Sequence, residues 1–158
     1  MNSQIVRIVA VGLMLGAVTV MAEQSENKKA AVTNAVSGKT NQSEKEKVAV
    51  AGAEKWLGIV DEEKYGESWK EAAEFFRNAI KQDQWEQAVQ TVRKPFGKLV
   101  SRKVKSTSYE TSLPGVPDGE YVVIEFETSF ENKKSAIETV TPMMDKDGKW
   151  RVSGYFIK

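Results

Sequence analysis

After Gly97 the hydrophobic period of this chain changes from about 3.6 residues to 2. Val122, Ile124, Phe126, Thr128 and Phe130 fall on one side of an extended chain, with Tyr121, Val123, Glu125 and Glu127 opposite. Turn chemistry separates the alternating runs. Leu113-Pro114-Gly115-Val116-Pro117-Asp118-Gly119 is one break, Asn132-Lys133-Lys134 another, and Asp145-Lys146-Asp147-Gly148 a third. Strands are therefore expected at 99–113, 121–130, 135–144 and 150–157. Joints this short allow only antiparallel neighbours, so the expected sheet is a four-stranded meander.

Helical signals occupy the chain before Gly97. Ala49, Ala53, Trp56, Leu57 and Val60 make one stripe, and Trp69, Ala72, Ala73, Phe76 and Ile80 a second. Trp85, Ala88, Val89 and Val92 make a third, which Pro95 ends. Ser43 with Glu46, Ser68 with Glu71, and Asp83 with Glu86 have capping-box spacing. Gly66 suits the C-terminal cap of the first helix. Three helices followed by four strands predict an α+β fold, with the helices on one face of a curved sheet.

The N-terminus is of a different kind. Residues 8–20 are apolar or small apart from Thr19, Arg7 precedes them, and Val20-Met21-Ala22 offers small residues where a signal peptidase cuts. The layout predicts a cleavable signal peptide over 1–22, hence a periplasmic or secreted protein with no membrane anchor after cleavage. An uncleaved anchor is the alternative, though spanning needs about 20 apolar residues. Residues 23–42 are polar and small, which predicts a flexible tether before a single domain over 43–158.

Charge and residue types narrow the chemistry. Removing 1–22 takes away Arg7 and leaves 22 basic against 22 acidic residues, so nothing drives binding to nucleic acid. The sequence has no His and no Cys. The usual base near neutral pH, the usual zinc and copper ligands and the nucleophilic triads are therefore absent, and no catalytic set, metal or cofactor is expected. Asp145 to Gly148 reads as a hairpin turn, since the distal Glu of a calcium loop is missing.

What remains is a set of polar residues inside apolar strands. Glu138 lies mid-strand between Ile137 and Val140, and Arg102 lies within the first strand. They read as a buried pair or as the centre of a polar pocket, with Tyr155 and Trp69 as further candidate pocket residues. In the closing stretch, strict alternation sets Trp150, Val152, Gly154 and Phe156 toward the helices and Tyr155 on the other side. Asp61, Glu62 and Glu63 read as a solvated helix end. Lys103, Lys105, Lys133 and Lys134 read as guards of sheet edges.

Three segments, AEKWLGIVDEEKYGESWKEAAEFF, LPGVPDGEYVVIEFETSF and DGKWRVSGYFIK, resemble the bacterial secreted DUF4019 family over about 53–158. The shared features include Trp56-Leu57, Asp61, Tyr65, Trp85, Arg93, Gly97, Arg102, Glu138 and Trp150 with Gly154-Tyr155. The resemblance implies the compartment and the domain boundary and supplies no activity. The order of elements is also similar to the NTF2-like and cystatin-like folds, an analogy that transmits no function. The expectation is a non-enzymatic domain that binds a small polar ligand or an envelope protein between helices and sheet. Two rivals are an NTF2-like enzyme with Glu138 or Asp61 as base, and a structural envelope component.

Overall fold

The change of period at Gly97 marks the boundary between two layers. The computed structural model describes residues 28–158. The expected signal segment lies outside the described residues. Helices α1 (Lys28–Asp61), α2 (Tyr65–Glu71), α3 (Glu74–Ala79) and α4 (Gln82–Arg93) precede a 3-10 turn at Lys94–Phe96. Strands β1 (Leu99–Glu110), β2 (Tyr121–Phe130), β3 (Ala136–Met144) and β4 (Trp150–Ile157) then pair in sequence order, all antiparallel. The fold is α+β, a helical layer on one face of an open sheet. Among the described residues no helix is long and apolar enough to cross a membrane.

The α1 stripe is buried as its spacing requires: Ala49, Ala53, Trp56, Leu57 and Val60 are each 3% exposed or less. The described part of the helix already includes Lys28, inside the segment expected as a tether, so Ser43 is interior to it and caps nothing. No proline interrupts residues 28–42, and propagating a helix costs less than starting one.

The end of α1 also departs from expectation. Glu63 takes the left-handed conformation (φ 59°), the Lys64 N–H donates to the Ile59 carbonyl (3.1 Å) and the Glu63 N–H to Val60 (3.0 Å). This is a Schellman closure with Glu in the usual glycine position. Gly66, expected to cap, instead lies in the first turn of α2. There a Cβ would lie 2.7 Å from Glu86 Oε1.

The expected second helix is divided into α2 and α3. Ala72 and Ala73 are extended (ψ 165° and 152°) and fully buried. Their small side chains let the backbone reach the sheet, where the Ala73 N–H donates to the Val152 carbonyl (2.9 Å). Arg77 covers the end of α2 by donating to the carbonyls of Lys70 and Ala72. Trp85 of α4 then packs edge-on to Phe76 (5.0 Å between centroids, 84°) and 5.7 Å from Trp56. The Asp83–Glu86 box is not used; Gln84 Oε1 accepts the Lys81 N–H at the start of α4.

In the sheet, β2 buries Val122, Ile124, Phe126, Thr128 and Phe130, as its alternation predicts. The loop after β1 folds over the outer face and covers Tyr121, whose hydroxyl donates to the Pro117 carbonyl (2.6 Å). Strand β4 breaks the expected alternation. Thr141 pairs with Gly154 but Pro142 pairs with Val152, which leaves Ser153 as an extra residue. Pro142 has no N–H to give the ladder, and proline inside a sheet is tolerated at such bulges. The Ser153 hydroxyl donates to the Thr141 carbonyl (2.8 Å). One extra residue reverses the side on which all later ones point. Tyr155 and Ile157 therefore join Val152 in the helix-facing core, and Phe156, expected there, is outside it.

Two outcomes follow from these departures. Glu63→Gly removes a left-handed strain worth about 1 kcal/mol, part of it offset by unfolded-chain entropy. Urea denaturation is expected to show a stabilised protein. Deleting Ser153 restores strict alternation and turns Tyr155 outward, and cooperative unfolding is expected to be lost. A deletion variant that melts like wild type would show that the bulge sets nothing.

Candidate functional site

Six elements each send one polar side chain to the same interior point: Asp61 (α1), Arg93 (α4), Arg102 (β1), Thr128 (β2), Glu138 (β3) and Tyr155 (β4). Glu138 has no exposed surface and accepts four hydrogen bonds. Arg93 Nη1 (2.7 Å) and the Tyr155 hydroxyl (2.7 Å) donate to Oε1. Arg102 Nε (2.6 Å) and the Thr128 hydroxyl (2.7 Å) donate to Oε2. A carboxylate offers about four lone-pair directions, and all are occupied.

Asp61 closes the other side. Arg102 donates to it through Nη1 (2.6 Å) and Nη2 (3.0 Å), and Arg93 donates to it through Nη2. Arg93 Nη1 also donates to the Tyr155 oxygen (3.1 Å), and its guanidinium lies 4.5 Å from the centre of the Phe130 ring. Two guanidinium groups and two carboxylates thus form a neutral ring of ion pairs.

Burial opposes the charge on Asp61, Arg93 and Arg102, and their partners outweigh it. Asp61 would be raised by burial, but hydrogen bonds from Arg102 and the charges of both arginines hold it below the usual carboxylate range. Burial likewise opposes Arg102 and Arg93, yet their acidic and phenolic partners raise both. Tyr155 is pushed well above the usual phenol range by burial and by the charge of Glu138, so its hydroxyl stays a donor.

The arrangement joins Arg102, Glu138 and Tyr155, three of the four expected pocket residues, and leaves out Trp69. That indole sits on α2, where its Nε1–H donates to the Ile80 carbonyl beyond α3 (2.8 Å). It closes a helix end. Arg93 and Asp61 were missed as members; both stand on buried stripes, Arg93 four and eight residues after Val89 and Trp85, and Asp61 four and eight after Leu57 and Ala53.

The space expected to hold a ligand is filled. Trp56 and Trp85 lie 5.6 and 6.1 Å from the Tyr155 ring, above the charged ring. Their indole N–H groups donate to the Ser68 carbonyl (2.7 Å) and hydroxyl (3.0 Å). A cleft of about 110 Å³ reaches Asp61 and Arg93 from outside, between Tyr65, Lys94 and Lys98. It is smaller than the roughly 300 Å³ at which ligand sites begin. A base must meet its substrate proton directly or through one water. Glu138 cannot, and Asp61 is a poorer base than a free carboxylate.

These contacts predict an asymmetry. Glu138→Leu leaves two buried guanidinium groups on one carboxylate, and breaking such a network costs about 3–5 kcal/mol. Arg102→Met with Glu138→Leu leaves the neutral Arg93–Asp61 pair, so much of that loss is expected to return in urea denaturation. Strict additivity of the two single losses would mean the charges do not interact.

The pH dependence has two limbs. Asp61 is lowered on folding, so its contribution is present above about pH 4 and is lost as pH falls through the lower folded value. Tyr155 is raised, so its contribution is present below about pH 10 and is lost as pH climbs through the higher folded value. Thermal melts are expected to show a shallower acid limb in Asp61→Asn and a shallower alkaline limb in Tyr155→Phe.

Residues 52–155 match the model of a family described as a protein of unknown function, DUF4019. No curated protein and no solved structure matches the chain. The family description carries no activity, and the match takes in every residue of the charged ring and most of both layers. On that match the chain belongs to the DUF4019 family.

Proposed function

We propose that this is a non-catalytic binding domain that works outside the cytoplasm and meets its ligand or protein partner on its surface, not between helices and sheet. The observation that carries this reading is the saturation of the interior polar groups. Every acceptor direction of Glu138 is taken within the fold, and the ring has no net charge to offer a ligand. Export rests on the sequence layout over residues 1–22. The ring is then a device of folding: it fixes where α1, α4 and the sheet meet.

A structural envelope component is the second reading, favoured by the same filled interior. Both readings oppose the enzyme with Glu138 or Asp61 as base.

The double variant Arg102→Met/Glu138→Leu tests the first reading. Expressed from its own locus, it is expected to fold and to support whatever phenotype the deleted gene loses. Failure of a folded double variant, with wild-type stability restored by a second-site change, would place function inside the ring. Mass spectrometry of exported protein is expected to give an N-terminus at Glu23. Intact residues 1–22 in the membrane fraction would make that segment an anchor.

A further inference from the structure

The two edges of the sheet are finished differently. At β4 the helical layer supplies a backbone partner, since the Ala73 N–H donates to the Val152 carbonyl (2.9 Å). At β1, the other edge, no residue of Leu99–Glu110 makes a backbone hydrogen bond beyond β2 among the described residues. Strand β1 is also the longest, 12 residues, and spans roughly 40 Å at about 3.3 Å per residue. A row of free N–H and C=O groups of that length is a template for another strand.

Apolar surface gathers on the same edge. Four large apolar side chains stand exposed among the described residues, and three of them, Leu99 (37%), Val100 (59%) and Val104 (39%), belong to β1. Lys103 and Lys105 are placed to guard this edge, but a glutamate of β2 holds each of them: Glu127 holds Lys103 (2.7 Å) and Glu125 holds Lys105 (3.1 Å). Their charge is answered before any second strand arrives. Register shifts at Val100 and Lys105 twist the strand, so another strand pairs with it in short runs.

The two ends of the edge differ in charge. Lys94, Lys98, Lys133 and Lys134 surround its start together with Glu63 and Glu131, and none of the six forms an ion pair among the described residues. Four amines against two carboxylates leave an excess of two positive charges there, since the interior ring is neutral. Glu110, Glu46 and Asp118 stand at its finish. Glu46 accepts from the Thr107 hydroxyl (3.2 Å), and Asp118 lies near Tyr121, the residue opposite Glu110. These three carboxylates are without ion pairs among the described residues, and the nearby Lys45 and Lys47 are already held by Glu120 (2.9 Å) and Glu44 (2.8 Å).

We infer that β1 pairs antiparallel with β1 of a second copy, about a two-fold axis near Val104. Each basic start then lies against an acidic finish, with Lys98 beside the partner's Glu110. Parallel pairing would set like charges together. The same axis brings the two Val104 side chains together and Leu99 toward the partner's Tyr109. Lys103 then faces the partner's Lys105, and each brings its own glutamate. A foreign strand would need the opposite polarity of charge along its length; a second copy, reversed, carries it by construction. The contact joins two open sheets into one and is closed by its symmetry, so assembly stops at a dimer.

The test is the oligomeric state of the full mature chain. Sedimentation from micromolar to millimolar protein is expected to show a monomer–dimer equilibrium, and amide exchange in β1 is expected to slow as the dimer fills. Lys98→Glu alone and Glu110→Lys alone each set like charges together. Either is expected to weaken the dimer by about tenfold, because the two-fold axis repeats the change. Lys98→Glu with Glu110→Lys in one chain restores opposite charges and is expected to recover the dimer. Val104→Lys sets two ammonium groups at the axis and is expected to leave a monomer that still unfolds cooperatively. A monomer of wild-type protein at every concentration overturns the inference. So does a dimer whose β1 amides exchange as fast as the monomer's, one indifferent to the single reversals, or one that the charge exchange fails to recover. These variants leave the interior ring as it is, so the binding reading proposed above stands or falls separately.

Discussion

Four charged side chains meet in the interior of this fold with no net charge, and each comes from a different element. Asp61 ends α1, Arg93 ends α4, Arg102 lies in β1 and Glu138 in β3. Hydrophobic contact is indifferent to small slides of a helix along a sheet. Hydrogen bonds of 2.6–2.7 Å to both oxygens of Glu138 are not. The ring therefore selects one placement of the helical layer, and the aromatic stack of Phe76, Trp85, Trp56 and Tyr155 fills the space that placement leaves. Its contribution to net stability is a different matter, because desolvation offsets much of the attraction. Specificity of arrangement is the better-supported role.

The strands were legible because a period of two, bounded by Pro-Gly turns, has few competing explanations. Strands β2 and β4 fall where the pattern set them, and Arg102 and Glu138 stood out because charges in strand interiors need partners. Arg93 stood out only within the family resemblance, and Asp61 only there and as a rival enzyme's base, neither as a partner of Arg102 and Glu138. A basic residue in the last turn of a helix already has an explanation in the helix dipole, and an acidic run after a helix reads as solvated. Their place on buried stripes was the available signal. Trp69 misled because an aromatic on a helical stripe looks the same whether it lines a pocket or closes a helix end. The bulge at Ser153 left two traces, Gly154 beside it and Pro142, which pairs with Val152 from the neighbouring strand.

The helical layer shows how small residues place backbone. Ala72 and Ala73 read as part of a stripe, which is true of their burial and false of their conformation. With larger side chains there, α2 could continue as one helix but could not bring an N–H to the Val152 carbonyl. The division of the helix and the attachment of β4 are thus one event. Strand β4 gains a fixed position on the helical side at its start, and the ring fixes it again at Tyr155.

That double attachment has a consequence for the order in which the protein can form. A chain made from its N-terminus holds Asp61, Arg93 and Arg102 well before Glu138, and Tyr155 comes last of the ring. Until β3 exists, two guanidinium groups face the single carboxylate of Asp61 and have every reason to stay in water. The Val152 carbonyl that receives Ala73 is also still to come. The nascent domain is therefore held open first by unmatched charge, until the third strand arrives, and then by the missing attachments of its last.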